Sequence, residues 1–399
     1  MDGPLAGVRV LEVANWLAAP SGCGLLADFG AQVVKVEPPG GDPLRGYLAQ
    51  ASGVPSPVNY PFELCNRGKR SITLNLAHPR AREVLYDLVE QTDVFVTNLL
   101  PGRRERYGVT YEELLPHRRD LVYVSVTGYG STGPDRDRLG YDYAAFWARS
   151  GIMGLLGEPD DPPPPQRPAM GDHTTALLVA GSVAMALLHR QQSGQGQEVD
   201  ISLHNTGLWV LAADIQSALV GAQAPRLSRR SVPNPLWNSY RTGDGRWIML
   251  VMLVSDMYWP RFCRAIGRED MEADPRFHTF ASRLQNREEL IDILDGVFAQ
   301  RTLDEWAPSL DEHSIIWAPA QTISEVVNDP QTRARRPFVK ISHPVAGEIE
   351  LVDTPVKFGQ ARVGARGPAP ELGQHTEEVL LESGYTWDDI ARVREEGVI

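Results

Sequence analysis

The first third of the chain alternates short apolar runs with helical segments, and this alternation restricts the possible folds more than any other feature. The apolar runs are VRVLEVA (8–14), QVVKVEPP (32–39), SITLNL (71–76), DVFVTNL (93–99) and LVYVSVTGYG (121–130). Helical patterns at 19–31, at 79–92 and in a basic stretch after residue 99 separate them. Strands that are apolar on both faces indicate a parallel sheet covered by helices, so we expect an α/β domain.

The rest of the sequence predicts a return to this domain after an insertion. A proline-rich loop (158–168) leads to a helix from His173 to about Gln192, and a strand in GQEVDISLHN and a helix at 206–221 follow. Residues 225–330 change character: they predict a hairpin at 240–253 and helices containing Trp259, Trp306 and Trp317. We therefore expect a large domain in 1–224, a smaller α+β domain in 225–330, and a return to the large domain in 331–399, with a strand pair and a terminal helix.

Charge and composition limit the classes of partner that we expect for this chain. The formal net charge of the 399 residues is -12, and the basic clusters RRER (103–106) and RARR (333–336) are short, so we expect no nucleic-acid partner. The beginning MDGPLAGVRVLEVAN has no leader pattern, and no uncharged apolar span long enough for a bilayer is evident. We expect a cytoplasmic protein without a membrane partner. Three separated cysteines and unevenly spaced histidines predict neither disulfides nor a metal site.

The carboxyl ends of the predicted strands outline a ligand crevice, because parallel strands end at the same edge of a sheet. Singly, each residue there is more simply a turn or cap residue, but together they suggest a site. They are Leu17, Ala18, Asn75, Asn98 and Leu99. Arg103, Arg104 and Arg106 follow, and they either form a solvated helix face or supply guanidinium groups to a phosphate.

The glycine motif GYGSTG (128–133) follows a predicted strand and matches GxGxxG. Pro134 and DRDR come next instead of an apolar helix, and the acidic residue that dinucleotide binding requires is missing. A glycine loop beside a ligand is the better interpretation.

Asp172, in PAMGDHTTALLVAG (168–181), stands directly before an apolar helical segment. Such an aspartate is typically an N-cap. The same place also suits chemistry, since we expect the helix N-terminus to lower the carboxylate pKa and to offer backbone donors to an oxyanion. Gly171 and Gly181 would allow a substrate to approach the main chain. Tyr141 and Asp142 in GYDYAAF either start a helix or line the crevice.

Several ordered motifs resemble the family III CoA-transferases, the group of formyl-CoA, carnitine and α-methylacyl-CoA enzymes. The resemblance covers nearly the whole chain. It is carried by GVRVLEVAN, LLADFGAQVVKVEPPGGDPLR, NRGKRSITLNL, DVFVTNLLPGRRERYGV, LVYVSVTGYGSTGP, PAMGDHTTALLVAG, GQGQEVDISL, YRTGDG, ADPRFHTFASRLQNREEL and LGQHTEEVLLESG.

The resemblance implies a Rossmann-like large domain built from both chain ends, a small inserted domain, and two subunits interlocked as a homodimer. It gives Asp172 the role of nucleophile, which takes the acyl group as a mixed anhydride and then CoA as an aspartyl thioester. Substrates would be an acyl-CoA and a free carboxylic acid, with no tightly bound cofactor. The CoA-contacting positions of the family fall on Leu17, Ala18, Leu74, Asn75, Asn98, Leu99, Arg106 and Tyr141.

Departures from the family pattern bear on the reaction. Racemases of the family have a histidine where Tyr141 stands, and a tyrosine phenol (pKa near ~10) is a poor proton acceptor at neutral pH compared with an imidazole (near ~6.5). A CoA-transferase is thus favoured, a 2-methylacyl-CoA racemase is the alternative, and a non-catalytic acyl-CoA-binding protein is a second. MLVSDMYW replaces the glycine run of formyl-CoA transferases, and Pro38 replaces a basic residue. Trp16 and Trp237 either line an acyl pocket or pack in the core.

Overall fold

A computed structural model describes residues 3–51, 56–222 and 225–399, without the side chains of 48–51. Two compact units divide the chain. The large unit comprises Met1–Met153, Pro165–Gln223 and Arg335–Ile399, and the small unit comprises Gly154–Pro164 and Ala224–Ala334. The small unit thus takes the segment Gly154–Pro164 in addition to the stretch expected for the inserted domain.

The strands of the described residues form three sheets. The large unit contains a six-stranded parallel sheet of order β3-β2-β1-β4-β5-β6 and a separate antiparallel pair, β10-β11. The small unit contains an antiparallel sheet of order β7-β8-β9. The strands are β1 (Arg9–Val13), β2 (Gln32–Glu37), β3 (Arg70–Thr73), β4 (Val94–Thr97), β5 (Val122–Thr127), β6 (Gln197–Ser202), β7 (Ser239–Arg241), β8 (Trp247–Leu250), β9 (Trp317–Pro319), β10 (Phe338–His343) and β11 (Gly347–Val352).

Helices connect these strands. Besides α-helices, the described residues contain a π-helix (Tyr143–Ala148) and 3₁₀ turns at Arg229–Ser231 and Glu269–Met271. The α-helices are α1 (Ala18–Asp28), α2 (Leu44–Ala51), α3 (Tyr60–Asn66), α4 (Ala81–Glu90), α5 (Pro101–Tyr107), α6 (Tyr111–Leu114), α7 (Ile152–Leu155), α8 (Met170–Ser193), α9 (Leu203–Val210), α10 (Ala212–Leu219), α11 (Ser255–Ala265), α12 (Phe280–Gln285), α13 (Arg287–Phe298), α14 (Leu303–Glu312), α15 (Ile323–Asn328), α16 (Pro330–Arg335), α17 (Thr376–Glu382) and α18 (Trp387–Glu395).

The central strands of the six-stranded sheet are buried on both faces, which confirms the α/β expectation. All residues of β4 and β5 are buried. Every residue of α1 is buried as well, and a side chain added at Gly22 would lie 2.6 Å from Val179 of α8. Glycine at this position therefore lets α1 and α8 pack closely, and together they cover one face of the sheet. Helices α4, α17 and α18 supply core residues on the other face.

Helix α8 bears on the expectation that the chain has no apolar span long enough to cross a bilayer. It is 24 residues long and, by length and composition alone, apolar enough to cross a membrane. Of its most apolar stretch, 39% is buried inside the protein. A partly buried core helix meets the same criteria, so the length of α8 does not by itself indicate a membrane protein.

Two further elements differ from the sequence-based expectation. The helix expected at 206–221 is two helices, α9 and α10, with a break at Leu211. Trp317 lies in strand β9 and not in a helix. Apolar periodicity cannot distinguish a short buried strand from a helix turn, and it continues across a helix break.

The small unit has its own core. The predicted hairpin is confirmed as β7 and β8, with Gly245 at φ 83 in the turn between them. Aromatic residues of α11, α13 and α14 pack with this sheet, including Trp259, Phe298 and Trp306.

Candidate active site

A cavity of about 780 Å³ lies at the carboxyl ends of β1 and β4 in the large unit. These neighbouring strands are where the sheet order reverses direction, and ligands of open parallel sheets bind at such a point. Asn15 follows β1 and Asn98 follows β4. The Asn15 backbone N–H donates to Asn98 Oδ1 (3.1 Å), and Asn98 Nδ2 donates to the Asn15 carbonyl (2.6 Å). This reciprocal pair fixes the two strand ends beside the cavity.

Most of the predicted site residues line this one cavity. The residues come from the ends of β1 and β4, from the segment before the π-helix, and from the first turn of α8. They are Leu17, Ala18, Asn98, Leu99, Tyr141 and Asp172. Asp142 lines it as well and also directly precedes the π-helix, so both readings of the Tyr141–Asp142 pair apply.

Three predicted positions lie elsewhere. Leu74 is buried in the core between the sheet and α4, so its side chain does not line the cavity. The Asn75 backbone N–H donates to the Val398 carbonyl (2.8 Å). Arg106 is exposed and lines a second cavity of about 280 Å³, together with His78, Arg82 and Tyr107. Sequence neighbourhood placed these residues correctly at strand and helix ends, but it could not show which cavity each side chain reaches.

Asp172 is not an N-cap. Helix α8 begins at Met170, three residues before the expected His173, so the carboxylate of Asp172 lies within the first turn. The cap residue is Ala169, which has a left-handed φ of 63 and makes no side-chain cap bond. The side chain of Asp172 is 9% exposed and faces the cavity.

Burial and, to a smaller extent, the charge of nearby Asp142 together raise the pKa of Asp172 to about 8. We expected the helix N-terminus to lower this pKa, and that expectation is wrong. A helix terminus contributes about 0.3–2 kcal/mol to a carboxylate, whereas loss of hydration can move a buried carboxyl by several pH units. Burial therefore dominates.

Asp142 binds the beginning of α8. Its carboxylate accepts hydrogen bonds from the backbone N–H groups of Gly171 and Asp172, and Gln166 Nε2 donates to its Oδ2 at 2.5 Å. Burial raises the pKa of Asp142, although these donors oppose the shift. Two first-turn N–H groups that we expected to serve an oxyanion are thus already bonded to Asp142. The side chain of Asp142 orients the helix turn that carries Asp172.

Gly171 has a packing role in place of the expected one. A Cβ at this position would lie 2.5 Å from the ring of Phe146, a residue of the π-helix. Gly181 is exposed, and a Cβ there would meet no atom within 4 Å. Neither glycine brings the main chain to the cavity.

Sequence reasoning missed a buried ion cluster beneath the cavity, formed by Glu12, Lys35, Asp42 and Lys69. Lys35 Nζ lies 2.9 Å from both Glu12 Oε1 and Asp42 Oδ2, and Lys69 Nζ lies 2.6 Å from Glu12 Oε2. Burial alone would raise the pKa of Glu12, but Lys35 and Lys69 outweigh it and hold this pKa below its ordinary value. Charged residues at Glu12 and Lys35 inside apolar strands were the available signal.

Comparisons with known proteins agree with this architecture. The family model described as CoA-transferase family III matches residues 5–376. The chain is a family III CoA-transferase. It is 34% identical over 397 residues to cinnamoyl-CoA:phenyllactate CoA-transferase of Clostridium sporogenes, a match that covers 98% of this chain and 96% of the relative.

Another relative and a solved structure extend the comparison. (R)-2-hydroxy-4-methylpentanoate CoA-transferase of Clostridioides difficile is 32% identical over 399 residues, or 99% of each chain. A crystal structure of a CaiB/BaiF family protein from Brucella suis superposes with a TM-score of 0.83 at 30% identity, covering 96% of this chain and all of that one. The predicted family, the CoA-transferase class and the α/β fold are confirmed.

The remaining residues and motifs that the sequence singled out lie partly at the cavity and partly elsewhere. In the GYGSTG loop, the Ser131 backbone N–H donates to Asp200 Oδ2 (3.0 Å), which ties the loop to β6. His173 lines the main cavity, and burial together with the charge of Arg67 lowers its pKa. Trp16 lines this cavity, whereas Trp237 belongs to the small unit and is 54% exposed.

Proposed function

We propose that this enzyme transfers CoA from an acyl-CoA to a free carboxylic acid by covalent relay on Asp172. A carboxylate Oδ of Asp172 attacks the thioester carbonyl, the C–S bond breaks, and CoA leaves as the thiolate. The thiolate attacks the Asp172 carbonyl carbon of the resulting mixed anhydride, which releases the donor acid and leaves an aspartyl-CoA thioester. The acceptor carboxylate then reverses both steps.

The observation that carries this proposal is a buried carboxylate with a raised pKa facing a largely apolar cavity. A carboxylate of higher basicity is a stronger nucleophile, and an apolar cavity keeps water from hydrolysing the anhydride. Asp142 acts as a positioning residue, because it binds the backbone of the turn that carries Asp172.

The geometry also suggests where the nucleotide end of CoA binds. Helix α5 begins near the main cavity, which Arg103 lines, and ends at the second cavity, which Arg106 lines one turn later. Arg82 and Arg106 make the second cavity cationic and suited to phosphate. We place the CoA phosphates there and the thioester at Asp172.

Trapping tests the relay. After incubation with acyl-CoA, borohydride or hydroxylamine should modify Asp172, as read by peptide mass spectrometry. Asp172→Asn should lose both the adduct and transfer, while the exposed Asp160→Asn should keep both. Undiminished transfer by Asp172→Asn would refute the proposal, and α-deuterium exchange without an acceptor acid would favour the racemase alternative.

We also propose a cytoplasmic homodimer. Helix α8 exposes a row of apolar side chains, and α9 and α10 expose more. The exposed residues are Leu177, Leu178, Met185, Leu188, Trp209, Val210, Leu219 and Val220. A contiguous apolar surface of this kind is typical of an interface. We expect a second copy to cover it, so that the protein is recovered in the soluble fraction and without detergent.

A further inference from the structure

The segment that follows β1 is fixed from two sides. Asn15 is bonded to Asn98 after β4, as described above. On the other side, the Trp16 backbone N–H donates to Asp42 Oδ1 (3.1 Å), and Asp42 belongs to the buried ion cluster. The Asp42 carboxylate also accepts from the Leu44 N–H (2.9 Å). Hydrogen bonds to Asn98 and Asp42 therefore position the main chain of Asn15 and Trp16.

This backbone has a conformation that residues other than glycine rarely adopt. The φ of Trp16 is 67, in the left-handed region. Strain of this kind persists only where the surroundings enforce it, and it concentrates at functional sites. Here it turns a large indole toward the cavity, which the ring lines.

Two tyrosines present their rings to this indole. The centroid of Trp16 lies 5.6 Å from that of Tyr141 and 5.9 Å from that of Tyr47, with interplanar angles of 82° in both pairs. Both tyrosines line the same cavity and are partly exposed, Tyr141 at 61% and Tyr47 at 38%. The three edge-to-face rings make a wall on which another aromatic ring can pack in the same manner.

The charges of the cavity oppose a second carboxylate. Among the described residues that line it, Arg103 is the one permanent cation, and Asp142 and Asp172 contribute acidic groups. His173 is held toward its neutral form by burial and by Arg67. A dicarboxylic acid would lose hydration at its second carboxylate, and among the described lining residues Arg103 is the one permanent cation that could pair with it.

We propose that Trp16 selects the acyl group, and that the enzyme prefers monocarboxylic acids carrying an aromatic ring over short dicarboxylic acids. The inference rests on the proposed transfer function and assigns a substrate class and a specificity residue to the same site. The ring of the acid packs against the Trp16 wall, and its carboxylate points toward Asp172.

The test compares three acceptor acids with 3-phenylpropanoyl-CoA as donor. Isotope-labelled 3-phenylpropanoate, 3-cyclohexylpropanoate and succinate are each supplied, and new thioesters are quantified by mass spectrometry. We expect kcat/KM to fall in that order for the wild type. Trp16→Leu should reduce the ratio of the phenyl to the cyclohexyl acid by roughly 10-fold, and Trp16→Phe should restore most of it. Leucine is chosen because a β-branched residue fits poorly at positive φ.

Trp387→Leu is the matched control, since this exposed tryptophan of α18 does not line the cavity. It should leave all three values unchanged. Equal use of the phenyl and cyclohexyl acids by the wild type, a preference for succinate, or an equal change for all acids in Trp16→Leu would overturn the inference. If Asp172 is trapped but no aromatic preference exists, the specificity inference alone fails. If no adduct forms on Asp172 and no acid is converted to its CoA thioester, the proposed function is refuted.

Discussion

The carboxyl group of Asp172 has conflicting requirements. In the proposed relay it must be ionised to attack a thioester, yet burial and Asp142 raise its pKa to about 8. In the ligand-free enzyme the proton is therefore bound over much of the neutral range. If Asp172 is the nucleophile, as we propose, activity at neutral pH depends on the small ionised fraction of this carboxyl group, which grows as the pH rises.

We expect kcat/KM for the acyl-CoA to rise with pH and to level off above about pH 8, because the free enzyme's essential carboxylate ionises there. A pH–rate profile from pH 6 to 9 at a saturating acceptor concentration measures this. Asp142→Asn removes the smaller of the two causes and should move the inflection to lower pH. A flat profile over this range would contradict the assignment.

The raised pKa of Asp172 also predicts that this carboxyl group lowers the free energy of unfolding at high pH. The unfolded carboxyl ionises above its model value of 3.8, while the folded one keeps its proton up to about pH 8. The folded state therefore loses stability relative to the unfolded state as the pH rises through this window, and the loss is complete above pH 8. We expect Asp172→Asn to raise the free energy of unfolding on the order of a few kcal/mol at pH 8, with little gain near pH 4. Thermal unfolding of the wild type and of Asp172→Asn at both pH values measures this difference. An equal gain in stability at pH 4 and pH 8 would contradict the prediction.

Gly171 should be intolerant of even one methyl group. Gly171→Ala places a Cβ 2.5 Å from the Phe146 ring, which must shift together with the turn that carries Asp172. We expect the free energy of unfolding to fall by about 1–3 kcal/mol. We also expect kcat to decrease by a larger factor than KM changes. Gly296→Ala is the control, because it lies exposed in α13 with no atom within 4 Å and should stabilise by up to ~1 kcal/mol. Denaturant unfolding and steady-state kinetics of both variants provide the comparison.

At the scale of elements, α5 is the link between the two cavities. Its basic residues follow one another on a helix of seven residues, so Arg103 and Arg106 are about one turn apart and serve different cavities. A long substrate such as CoA can contact both ends of this helix.

Arg106→Gln should raise KM for the acyl-CoA roughly 10-fold or more with a smaller change in kcat, since a phosphate contact acts equally in ground and transition states. Arg119→Gln, an exposed arginine outside both cavities, should leave KM unchanged. Initial rates over a range of acyl-CoA concentrations test this. An unchanged KM in Arg106→Gln would place the CoA phosphates elsewhere.

The strands and helices of the large unit could be predicted because apolar runs that alternate with helical segments indicate a parallel sheet covered by helices on both faces. Strands β1, β2, β4 and β5 all lie within predicted runs. The start of α8 could not be predicted, because Ala169 caps it through a strained backbone and not through a side chain that the sequence would reveal. The pKa of Asp172 was predicted in the wrong direction, because it depends on burial and on Asp142, thirty residues away.

At the scale of the molecule, the order β3-β2-β1-β4-β5-β6 brings the ends of β1 and β4 together although about eighty residues separate them. Strand ends could be predicted to share an edge, which is why Leu17, Ala18, Asn98 and Leu99 were chosen correctly as neighbours of one cavity. Which strands adjoin is decided by tertiary packing, so the buried ion cluster could not be assembled from the sequence.

The exposed face of α8 predicts the assembly state. Met185 is 67% exposed between Gly181 and Leu188 on this face. Met185→Glu should weaken the dimer and yield monomers in sedimentation or light-scattering measurements, because a buried unpaired charge opposes association. Ile323→Glu, at an exposed apolar position of the small unit, should leave the mass unchanged. A wild-type protein that sediments as a monomer would contradict the proposed assembly.

The hydrogen bonds that fix the main chain of Asn15 and Trp16 have an evolutionary consequence. The Trp16 N–H bonds to Asp42, and the N–H and carbonyl groups of Asn15 bond to Asn98, so main-chain contacts hold this segment in addition to the packing of the indole. We expect that a single codon change at this position gives descendants of this enzyme a different range of acids while the proposed relay on Asp172 stays intact. A backbone held in this way would allow the substrate range to diverge under selection while catalysis is retained.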